Sequence, residues 1–69
     1  MAYLVECQTT DPTLAGCETL EYVTAENKDK ARLAARGFHA CGCWASVYAE
    51  DGESLACVDP DEKFPVFLF

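Results

Sequence analysis

Apolar and polar positions alternate from the start of the chain. Tyr3, Val5 and Cys7 stand against Leu4 and Glu6, which predicts a strand over Ala2 to Cys7. The stretch from Thr9-Thr10-Asp11-Pro12 to Gly16 is rich in turn formers and reads as a loop. A second strand over Cys17 to Thr24 places Glu18, Leu20 and Tyr22 on one side and Thr19, Glu21 and Val23 on the other. Both sides are mixed, which suits an edge strand or one with a wet face. Asn27 is a good N-cap for a single helix over Lys28 to Arg36. Ala31, Ala34, Ala35 and Phe38 fall on one stripe of that helix, and Gly37 stands where a left-handed residue would end it. A stripe made mostly of alanine lets a helix approach a sheet closely.

A third strand is predicted over Cys43 to Ala49. Its small side (Cys43, Ala45, Val47, Ala49) suits the alanine stripe, whereas Trp44, Ser46 and Tyr48 face away from it. Asp51-Gly52 marks a hairpin leading to a fourth strand, Ser54 to Val58. Asp59-Pro60-Asp61-Glu62 forms a polar turn, and Phe64 to Phe69 reads as a fifth strand, with Pro65 confined to an edge or a strand start. The order is ββαβββ. It predicts an α+β fold in one compact domain, 1–69: an antiparallel sheet with one helix packed on one face. The other face, carrying Trp44 and Tyr48, becomes a candidate contact surface.

Composition supports a folded chain, with 51% apolar residues, but 69 residues are close to the lower limit for a self-sufficient core. The start has no basic segment followed by an apolar one, and the longest apolar run is strand-sized, so a cytoplasmic address is expected. The five cysteines are odd in number and read as reduced thiols. His39 beside Cys41-Gly42-Cys43 raises a metal-binding or redox module as an alternative. Zinc sites, however, usually repeat such a pair elsewhere in the chain, and this one does not. Free cysteines also pack well as small buried hydrophobes, so no metal and no cofactor are expected.

Catalytic parts are missing. The four glycines are isolated at turns, leaving no phosphate loop, and neither a His-Glu-x-x-His nor a nucleophile elbow occurs. His39 could serve Cys41 or Cys43 as base to thiolate, but all three fall within five residues and no orienting group accompanies them. No enzyme activity is expected.

Charge is the informative feature. The net value is −7, yet Lys28, Lys30, Arg32 and Arg36 all fall in the helix. Outside residues 24–37, ten acidic residues face Lys63 alone, a net −9. Glu50, Asp51, Glu53, Asp59, Asp61 and Glu62 lie together without a base among them, with Glu18 and Glu21 available from the second strand. Direct binding of nucleic acid needs the opposite sign. Carboxylates two apart on a strand stand roughly 7 Å apart, comparable to successive backbone phosphates. Such a surface could enter a basic nucleic-acid channel on another protein.

In size, acidity and element order the chain resembles the small phage-encoded anti-CRISPR proteins, most closely the acidic type I inhibitors acting on the type I-C Cascade complex. The segments carrying the resemblance are Ala2-Tyr3-Leu4-Val5-Glu6, Asn27-Lys28-Asp29-Lys30-Ala31-Arg32 and the Trp44-to-Val58 hairpin. It implies a monomeric inhibitor in the cytoplasm of a bacterial host. Such an inhibitor binds a Cascade subunit, often the large subunit Cas8, and blocks target DNA by acidic DNA mimicry. The partner-binding residues would then be the eight carboxylates above, with Trp44 and Tyr48. A generic interaction subunit, such as an antitoxin using Trp44 and Tyr48, is the other alternative.

Overall fold

The computed structural model describes residues 2–66 and 69. Four strands and one helix follow in the order β1 (Tyr3–Gln8), β2 (Thr19–Ala25), α1 (Lys28–Ala40), β3 (Trp44–Tyr48) and β4 (Ser54–Val58). They form one antiparallel sheet in the order β2-β1-β3-β4, with α1 on one face. The α+β architecture expected from the pattern is the one observed. The mixed second strand is indeed an edge.

Strand register explains the core. Val5 pairs with Val47, Cys7 with Ala45, and Ala45 in turn with Val58, so these side chains share the face beneath the helix. Tyr3, Val5, Ala25, Ala31, Ala35, Ala45, Val47 and Val58 make one cluster. Ala31 and Ala35 are fully buried, and their lack of side-chain bulk seats α1 close over β1, β2 and β3.

Two expectations are corrected. First, Gly37 does not end the helix, which continues to Ala40. Continuing keeps Phe38 on the apolar stripe and against the core, which outweighs the roughly 1 kcal/mol cost of a helical glycine. The left-handed residue is Gly42, at φ +84. Its amide donates to the His39 carbonyl (3.0 Å) and that of Cys43 to the Phe38 carbonyl (3.2 Å), the two bonds of a Schellman cap.

Second, Phe64, Pro65, Val66 and Phe69 of the expected fifth strand lie in no strand, and its positions 67 and 68 fall outside the described residues. Glu62, Phe64 and Phe69 lie on the helix side instead. The Glu62 carbonyl accepts from His39 Nε2, and the Phe64 ring meets His39 edge-on at 5.4 Å. The Arg36 guanidinium lies 5.8 Å from the Phe64 ring centre, and Phe69 packs on Tyr3 at 5.6 Å. One narrow helix leaves β4 uncovered. Phe64 and Phe69 join Leu55 and Ala56 of β4 at the margin of the core.

Candidate protein-binding surface

Each acidic turn is built by one of its own aspartates. In the β3–β4 hairpin, Asp51 Oδ1 accepts from the Glu53 amide (2.9 Å), and Gly52, at φ +92, donates to the Ala49 carbonyl (2.9 Å). After β4, Asp59 Oδ1 accepts from the Asp61 amide (2.8 Å), and the Glu62 amide donates to the Asp59 carbonyl (3.1 Å). Asp51 and Asp59 therefore shape the backbone, as Asx turns do. Glu50, Glu53, Asp61 and Glu62 are exposed on the two turns so formed. Asp11 works in the same way in the β1–β2 loop. It accepts from the amide and hydroxyl of Thr13, which hold its carboxyl below the ordinary 3.8.

The eight expected carboxylates are not gathered in one patch. Residues 50–53 and 59–62 sit at opposite ends of β4, about 20 Å apart over the six residue steps from Glu53 to Asp59. Glu18 and Glu21 lie at or beside the β2 edge, about 14 Å across the four-stranded sheet from the β4 edge. The acidity thus forms a rim around the sheet.

That rim is uncompensated. Among the described residues the ion pairs are Lys30–Glu26 (3.3 Å) and Arg32–Asp29, both between near neighbours at the helix. Arg36 is turned to Phe64. Lys30 and Arg32 are thus spent locally, and among the described residues no carboxylate of residues 50–62 holds an ion pair. Beside the hairpin, Tyr3, Leu55 and Phe69 floor an open hollow. Glu50, Asp51 and Glu53 line its rim, together with Lys28.

The face away from the helix is a hydrogen-bonded polar row crossing all four strands. Thr19 Oγ1 and Gln8 Nε2 donate to the two oxygens of Glu6 (3.4 Å each), and Ser46 Oγ donates to Gln8 Oε1. Ser46 Oγ also lies 3.8 Å from Cys57 Sγ. Ser46, standing between Trp44 and Tyr48 on one face of β3, is 1% exposed. Trp44 and Tyr48 are on the expected face but half-buried. The large apolar side chains most open on the sheet are Tyr22 (67% exposed) and Leu20 (60%), both on β2. The residue pattern did not single them out as binding residues. The signal was there: two large apolar residues on an edge strand.

His39, Cys41 and Cys43 are directed to different neighbours. His39 engages the C-terminal segment, Cys41 is exposed at the helix cap, and Cys43 lies against Cys7. Among the described residues no three His, Cys, Asp or Glu side chains are placed to hold one metal ion. Burial pushes the Cys7 thiol up to about 12, reinforced by Cys43. Burial also raises Cys57, and its contact with Ser46 partly offsets this.

Fold and surface together define a small antiparallel α+β domain with an acidic rim and an open edge strand. Comparison with protein-family models, with curated proteins and with solved structures finds no match to this chain.

Proposed function

We propose that the chain is a CRISPR inhibitor that places its acidic rim on a basic DNA-recognition surface of the Cascade complex, the large subunit Cas8 being the first candidate. Target DNA is thereby excluded. The observation that carries this reading is the excess of unpaired acid: among the described residues no carboxylate of either β4 turn holds an ion pair, while Lys30 and Arg32 pair with acids of the helix region, so both turns remain available to a partner. Uncompensated carboxylates attract a basic surface over distance and accelerate encounter. Beside the hairpin, the apolar hollow suits the stem of an arginine or lysine whose head meets Glu50 and Glu53. The resemblance to acidic type I-C inhibitors supplies the identity of the partner.

The test is competition between the protein and target DNA for purified type I-C Cascade. Glu50→Lys with Glu53→Lys, and Asp61→Lys with Glu62→Lys, spare the turn-forming Asp51 and Asp59. Each pair should weaken inhibition about tenfold or more, and raised salt should slow association. Inhibition at wild-type strength by both variants, with the fold intact, overturns the proposal.

A further inference from the structure

The β2 edge is the feature that the rim alone does not explain. Thr19–Ala25 is a seven-residue edge strand, exposed at every position except Ala25. Among the described residues no strand lies beyond it, so one side of its backbone is unpaired. Natural edges are commonly blunted by lysine, proline or shortness. β2 has none of these, although its pairing with β1 shifts register opposite Leu20, whereas β4, the other edge, is only five residues long and is soon followed by Pro60. Its two faces differ. Register with β1 puts Glu21 and Val23 on the helix side and Tyr22 and Thr24 on the open side, with Leu20 the extra residue where the register shifts. Val23, Leu20 and Tyr22 are all substantially exposed.

We infer that β2 accepts an added strand from a basic protein partner: an extended segment with cationic residues on the helix side and apolar residues on the open side. Main-chain hydrogen bonds would supply affinity, and the alternating side chains specificity. The cations would meet Glu21, with Glu18 beside it, and the apolar residues would cover Tyr22. Charge selects against a second copy as the occupant. Each copy carries −7, so two copies repel on approach, and a two-fold axis through Glu21 would set that residue against itself. This inference rests on the reading that the partner is a basic protein, and adds where its chain is held.

The test uses the full chain and synthetic peptides, so it does not depend on Cascade. The probe is acetyl-Lys-Val-Lys-Val-Lys-Val-Lys-amide, with two versions carrying backbone N-methyl groups along one edge or the other. A peptide with glutamate in place of each lysine is the charge control. Amide NMR shifts and slowed amide hydrogen exchange should fall within residues 19–25. One N-methylated version should lose at least tenfold in affinity, and the glutamate peptide should not bind. Equal binding of both N-methylated versions, or shifts confined to residues 50–62, overturns the added strand. Failure of the charge reversals in the Cascade competition would overturn the identity of the partner while leaving this result standing.

Discussion

Cys7 shows how a side chain with a reactive group is held inert. Its place on the helix-facing side of β1 removes it from water, and burial pushes the thiol from the ordinary 9.0 to about 12. The folded chain favours the protonated form. That contribution to stability is complete below about pH 9 and is lost as pH rises toward 12. Denaturation measured across this window should show a steeper alkaline decline in the wild type than in Cys7→Val; equal slopes would remove Cys7 as the cause. Gly37 offers the opposite opportunity. It sits within α1 and an added Cβ meets nothing within 4 Å, so Gly37→Ala should stabilise by about 0.5–1 kcal/mol in chemical denaturation. At the N-terminus of α1, Asn27 Oδ1 accepts from the Lys30 amide (2.9 Å), and Asn27→Ala should cost about 1 kcal/mol.

At the scale of elements, the C-terminal segment supplies the cover that a single helix cannot. Phe64→Ala should destabilise by about 1–3 kcal/mol. Val66→Ala, at a side chain 88% exposed, should change stability by less than about 0.5 kcal/mol. Equal effects at the two positions would show that Phe64 contributes no packing. The five elements were legible because their signals are local: alternation in β1 and β3, Asn27 before α1, Asp51-Gly52 between β3 and β4. The end of α1 was misread because two glycines compete for the cap and only the packing of Phe38 favours Gly42. The tail was misread because a short apolar run looks alike as a strand or as a cover strip. The candidate site was legible only in composition. Which carboxylates share an end of the sheet depends on strand order, and the Ser46–Gln8 bond joins residues 38 apart, beyond any local pattern. Asp51 and Asp59 could be read from sequence either as binding groups or as turn formers; the hydrogen bonds show the second role.

The whole molecule is thin, about 29 × 24 × 17 Å, so much of its sheet lies near an edge or a rim. The exposed β2 edge then has a consequence for handling the protein. At neutral pH the glutamates act as gatekeepers, because mutual repulsion keeps one copy's edge from templating the next. Near the isoelectric point of about 4.3, that colloidal protection disappears while the unpaired backbone remains. Light scattering and thioflavin fluorescence should therefore rise sharply as pH is lowered toward this value, and Glu21→Thr should shift the onset to higher pH. Concentrated stocks should keep best well above that point, in low-salt buffer that leaves the repulsion between copies unscreened.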